Sequence, residues 1–280
     1  MKINILVVFL FAVSLLPSCK CGNKTETLSE QTLNLSVFLD LSDRIADKKL
    51  VPNQMYRDTA IINYLIDYFY SKTSGFNILK SKNKMRVLFY PMPQDPNINE
   101  LSKHLNVDIC EKQGVDKREA LDNMREEFPD ILANIYNQTL ASNKWPGCDI
   151  WDFFNSKKVD NLCIENDARN ILVILTDGFI YHEKNAFKEG CCSYSYIVQK
   201  LIEDNNRKIS LIDRRKGGLS GKGLEVLVLE IKPQKPIEKY KMIQILEDWF
   251  KSMGIEKISI VETDANLTNT KKYIKNFFDK

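Results

Sequence analysis

Apolar residues follow two rhythms along this chain. Predominantly apolar runs occur at Leu33–Leu39, Met85–Tyr90, Ile171–Leu175, Leu224–Ile231 and Ile258–Val261. Short runs of this kind, closed by residues such as Asp40, Pro91 and Gly178, predict buried strands. Between them the spacing changes to three and four, as in Ile61, Ile62, Leu65, Ile66 and Phe69. That periodicity predicts helices over Met55–Tyr70, Asp116–Leu140 (either unbroken or interrupted at Pro129), Ile237–Met253 and Leu267–Phe278. Shorter helices are expected over Asp149–Phe154 and Tyr196–Ile202, and a short edge strand over Asn106–Cys110.

Strands alternate with helices, and the central strands are apolar on consecutive positions, so both of their faces must be covered. The expected fold is α/β: a doubly wound, mostly parallel central sheet with helices on both faces. Ligands of such sheets bind beyond the carboxyl ends of the strands, at the point where the strand order reverses. Two strands run into acidic residues there, at Leu39-Asp40 and at Thr176-Asp177-Gly178.

The N-terminus changes the picture of where this domain works. Lys2 precedes an apolar stretch from Ile3 to Leu16, which has the length of a signal-peptide core and is short for a permanent span. Leu16-Pro17-Ser18-Cys19 follows and resembles the lipobox of bacterial lipoproteins, in which the cysteine receives the lipid. The resemblance implies a signal peptide at 1–18, a lipidated Cys19 and a membrane anchor stronger than a single acyl chain. It implies a place in the bacterial cell envelope, at the outer membrane, facing either the periplasm or the exterior. Residues 19–32 are polar and read as a tether. Residues 33–280 then form one domain.

Composition narrows the partners. The formal net charge is +3, and Lys2 contributes to it, so the mature chain is nearly balanced. That disfavours nucleic acid, whose non-specific binding rests on cationic charge. Besides Cys19 there are Cys21, Cys110, Cys148, Cys163, Cys191 and Cys192, and in an exported chain these predict at least two disulfides. A structural zinc site is disfavoured, since there is no C-x-x-C and His104 and His182 are the only histidines.

Three segments together resemble the von Willebrand factor type A family. Val37-Phe38-Leu39-Asp40-Leu41-Ser42-Asp43-Arg44 is similar to that family's first strand and its D-x-S-x-S loop. Ile174-Leu175-Thr176-Asp177-Gly178 is similar to its later strand ending in T-D-G, and Gly147-Cys148-Asp149-Ile150 to its G-T-D-I stretch. The resemblance covers the chain from about Leu33 onward. It implies a vWA/Rossmann-like fold and an adhesion-type Mg²⁺ site, with Asp40, Ser42 and Asp177 at matching ligand positions. Such a hard cation takes oxygen donors and keeps several waters.

Two positions depart from the pattern. Arg44 stands where the family has a second serine, and Cys148 where it has threonine. A thiol is a poor ligand for Mg²⁺, and a guanidinium competes with a cation for carboxylates. The expectation is therefore a degenerate site in which Arg44 neutralises Asp40 or Asp177. The alternative is an Mg²⁺ site completed by Asp43 or Asp149. Asp40 and Asp177 could also serve simply as helix caps.

Around this rim lie Tyr181, His182, Glu183, Trp145 and Trp151, with partial burial the expected fate of the tryptophans. Gly217–Gly223 lacks the spacing of a phosphate-binding loop and precedes a strand, so it reads as a mobile turn beside a solvated basic face, Arg214-Arg215-Lys216. The leading functional reading is an envelope-anchored binding or adhesion-type lipoprotein that engages a protein or glycan through loops at the C-terminal strand ends. The alternative is an Mg²⁺-dependent hydrolase of the phosphoesterase kind, using Asp40, Asp43 and Asp177 with His182 as general base.

Overall fold

In a computed structural model of the protein, the structure describes residues 31–47, 52–75, 78–178, 187–189, 192–194, 215–232 and 236–280. The expected signal peptide, Cys19, nearly all of the tether, Tyr181, His182, Glu183, Arg214 and the helix over Tyr196–Ile202 lie outside these residues. So do Cys21 and Cys191.

The central sheet has six strands. β1 (Thr32–Leu39) is followed by α1 (Gln54–Thr73), β2 (Lys84–Leu88), α2 (Pro96–Lys103), β3 (Asn106–Asp108) and α3 (Asp116–Ser142). Next come α4 (Ile150–Asn155), α5 (Lys158–Cys163), β4 (Ala168–Leu175) and a separate hairpin of β5 (Phe187–Glu189) and β6 (Cys192–Tyr194). β7 (Leu224–Ile231), α6 (Pro236–Ser252), β8 (Lys257–Glu262) and α7 (Leu267–Phe278) complete the order. The strands lie side by side as β3-β2-β1-β4-β7-β8, all pairs parallel except β2 with β3. This is a doubly wound α/β sheet. The chain moves outward from β1 to β3, then crosses back to build the other half from β4, so the order reverses between β1 and β4.

Continuous apolar strands arise because alternate residues face two different helix layers. In β1, Leu33, Leu35, Val37 and Leu39 pack with α1, α3 and α7, while Phe38 faces the layer of α4 and α6. Phe153 meets Phe38 there edge to face, with ring centroids 4.9 Å apart. In β4, Ile171, Val173 and Leu175 take the first layer and Leu172 and Ile174 the second. Neither face of a central strand has room for the in/out polarity of a half-exposed sheet.

α3 runs unbroken through Pro129, and some other local expectations are corrected. Pro129 is only half-buried and Arg125, four residues before it, is exposed, so the carbonyl that loses its helical donor can be hydrated. α2 and α5 carry too few apolar positions to register as helices in the sequence, although Asp95 caps α2 and Pro96 opens it. The glycine-rich turn is a packed one. Gly217 and Leu219 donate to the carbonyls of Ser252 and Met253 at 2.7 and 2.8 Å, and Leu219 is buried. Gly254 (φ +90°) lies against the Ser220 backbone where no side chain would fit. Arg215 is no solvated charge: it bonds the Phe154 carbonyl and Asp160.

The disulfide expectation is also corrected. Cys110, Cys148 and Cys163 carry free thiols, so at least two bridges cannot be built from the cysteines that remain. Cys148 and Cys163 are fully buried in the α4/α6 layer, where each serves as a small apolar residue.

Candidate functional site

Register brings the two acidic strand ends together. Leu39 and Leu175 are partners in the β1–β4 ladder, and the Asp40 N–H donates to the Leu175 carbonyl at 3.1 Å. Asp40 and Thr176 therefore emerge side by side at the point where the strand order reverses. The Thr176 hydroxyl donates to Asp40 Oδ2 at 2.8 Å, and the Ser42 N–H to Oδ1 at 2.8 Å. Asp40 is fully buried. A third segment closes the crevice: Gly147 bridges to Leu41, and the Asp149 N–H donates to the Tyr90 carbonyl at 2.9 Å.

Gly178 positions Asp177. Its φ of +93° is open to glycine, and an added Cβ would collide with Met242 on α6. Asp177 itself is half-buried.

Arg44 enters beneath this crevice. Its Nε donates to the Asp40 carbonyl oxygen at 3.1 Å and lies 3.5 Å from Asp40 Oδ2. Nη2 donates to the Leu175 carbonyl at 3.1 Å and to Asp58 Oδ2 at 2.8 Å. The guanidinium is buried. Burial opposes its charge, but Asp58 and then Asp40 outweigh it and hold the pKa above its ordinary value. The expected partner, Asp40, is thus shared with one the sequence did not single out, Asp58 on α1.

Asp58 opens a buried polar network. Tyr136 on α3 donates to Asp58 Oδ2 at 2.5 Å, and Gln54 Nε2 to Oδ1 at 2.8 Å. Gln54 also reaches Glu230 Oε2 at 3.3 Å, and Arg57 grips both oxygens of Glu230 at 2.6 and 2.8 Å. Burial pushes the Asp58 carboxyl up, with Arg44, Tyr136 and Gln54 working against it. Burial, reinforced by Asp58, pushes the Tyr136 phenol well up.

Glu230 reaches this face because β7 bulges. The β7–β8 register slips between Val228 and Ile231, and Glu230 has φ +71°. An extra residue in one strand turns the following side chains to the opposite face. Without it, Glu230 would share the face of Val226 and Val228.

Of the remaining candidates, Cys148 adjoins this site, within reach of the charges of Asp40, Arg44 and Asp177. Cys148 is a fully buried thiol, pushed well above its ordinary pKa by burial and then by Asp40. It is therefore a protonated sulfur rather than an oxygen donor. Asp149 caps α4 by accepting the Asp152 N–H at 2.8 Å. Asp43 is exposed in the first turn of a 3-10 helix. Among the described residues no three acidic, histidine or cysteine side chains converge as a metal-holding group. Trp145 and Trp151 are half-buried, each against a different core layer.

The donor set fits a divalent cation poorly. Both Asp40 oxygens are engaged and buried, a guanidinium lies 3.5 Å away, and Cys148 offers a thiol, a poor ligand for a hard cation. Asp58, Tyr136, Gln54 and Glu230 were missed in the sequence. The available signal was Asp58 and Tyr136 falling on the apolar stripes of α1 and α3, in step with Ile61, Ile62 and Leu132.

No family model and no curated protein matches the chain. Among solved structures, the pilus adhesin SpaC from Lactobacillus rhamnosus GG aligns over 89% of this chain at 10% identity and a TM-score of 0.45. Its open conformation aligns over 88% at 12% identity and a TM-score of 0.43. This chain spans 31% of the SpaC chain in both. The conserved hypothetical protein BatB from Bacteroides thetaiotaomicron aligns over 89% of this chain and 100% of its own, at 10% identity and a TM-score of 0.38.

Proposed function

We propose that this chain is a type A-like binding domain, tethered to the cell envelope through a lipid on Cys19. In this reading it engages a protein or glycan with the loops around Asp40, Cys148 and Asp177. One observation carries it: three segments far apart in sequence, each similar to a type A motif, converge on the crevice where the strand order reverses. Asp40 is bonded to Thr176, 136 residues away, and Leu41 to Gly147. Crevices at that position are where doubly wound sheets bind their ligands. Fold alone supplies no reaction, and Asp40, the carboxylate a hydrolase would need most, is buried with both oxygens engaged.

The test has two parts. Cys19→Ser should release the protein from membranes or leave it as unprocessed precursor, checked by membrane fractionation. The full chain should bind a protein from the envelope fraction or a member of a glycan array, and Asp177→Ala should lose that binding while keeping its thermal stability. Phosphoester turnover by the wild type with added Mg²⁺, lost in Asp177→Ala, would overturn the binding reading in favour of the hydrolase.

A further inference from the structure

Resting on that reading of the crevice, we infer that Arg44 is a built-in cation, which organises the binding face without any divalent metal. One planar group touches three elements at once. Nε bonds the end of β1 at the Asp40 carbonyl, Nη2 bonds the end of β4 at the Leu175 carbonyl, and the same Nη2 bonds Asp58 on α1 at 2.8 Å. Nη1 lies 3.5 Å from the other Asp58 oxygen, so the fork addresses both. Lysine, a point charge on a flexible stem, could not span this set.

The clamp extends beyond Arg44. Asp58 hands its remaining capacity to Tyr136 on α3 and to Gln54, and Gln54 reaches Glu230 on the β7 bulge, where Arg57 completes the pairing. The ends of β1, β4 and β7 are thereby tied to α1 and α3 through groups the chain itself carries. A divalent cation approaching Asp40 would meet a desolvated positive charge 3.5 Å from Asp40 Oδ2. Partner recognition at this crevice then rests on hydrogen bonds and apolar contacts of the rim. It needs no partner carboxylate to complete a coordination sphere, and it is indifferent to chelators.

The experiment uses the full chain in detergent. Mn²⁺ binding is followed by the relaxation of water protons, and thermal melts are run with EDTA or with millimolar Mg²⁺. The wild type should show no saturable Mn²⁺ site and the same Tm in both buffers. Arg44→Met should lower Tm by roughly 10 °C, since it strands buried carboxylates, and Arg44→Lys should recover only part of the loss. A saturable Mn²⁺ site in the wild type that Asp40→Asn abolishes would overturn the inference, and so would an Arg44→Met protein as stable as the wild type. Should Arg44→Met fail to fold, the wild-type Mn²⁺ measurement still decides. A partner captured equally well in EDTA upholds both proposals. One captured only with Mg²⁺ keeps the binding function and removes the built-in cation. An enzyme without a Mn²⁺ site does the reverse.

Discussion

Arg57 and Glu230 form a two-pronged ion pair, 2.6 and 2.8 Å long, with both side chains fully buried. The pair joins the first turn of α1 to the β7 bulge, 173 residues later. Glu230 adopts a left-handed backbone conformation to make it. A buried pair of this kind adds little net stability over an apolar one, but removing a single partner is costly. Arg57→Met should therefore lower unfolding free energy by about 3–5 kcal/mol. Adding Glu230→Gln to that variant should recover part of the loss. Urea unfolding of the two variants checks this, and a double variant no more stable than Arg57→Met would show that the stranded carboxylate is not the cause.

Tyr136→Phe isolates one bond of the clamp with almost no change of volume. Asp58 Oδ2 would keep only Arg44, and the lost bond to a buried carboxylate should cost about 1–3 kcal/mol. The measurement is again the urea midpoint. An unchanged midpoint would remove Tyr136 from the network.

Asp160 gives a pH signature. Burial alone would raise its carboxyl, but Lys222 and Arg215 together hold it below the ordinary value. A carboxylate whose folded pKa is depressed stabilises the fold fully above its unfolded value, about pH 4, and loses that contribution as pH falls through the lower folded value. Wild-type Tm should thus drop more steeply than that of Asp160→Asn below about pH 4. Melts across the acid range test it, and parallel curves for the two proteins would contradict it.

Thiol chemistry should separate the three described cysteines. Cys110 is exposed and should react readily with maleimide in the native protein. Cys148 and Cys163 should react only after unfolding, because burial removes access and pushes the Cys163 thiol up to about 12 and Cys148 well above its ordinary value. Peptide mapping by mass spectrometry reads each site. Native labelling of Cys148 would show that the crevice opens.

Much of the architecture follows from the sequence by itself. The central strands are apolar runs and helices α1, α3, α6 and α7 are periodic over many residues, and both patterns are local properties. The doubly wound sheet follows from strands that are apolar on both faces, and the ends of β1 and β4 are marked by Asp40 and by Thr176-Asp177-Gly178. Arg44 and Cys148 are visible as departures for the same reason, since a motif is read position by position. What only the tertiary structure decided is which charges meet. Arg44 finds Asp58 on α1 in addition to the expected Asp40, and Asp58 then meets Tyr136, 78 residues on. Coulomb energy depends on distance in space and on the surrounding dielectric, neither of which the spacing along the chain records. Glu230 is the sharpest case. One unpaired residue in a strand of period two moves it from one core layer to the other, and nothing in Leu229-Glu230-Ile231 marks where that residue falls.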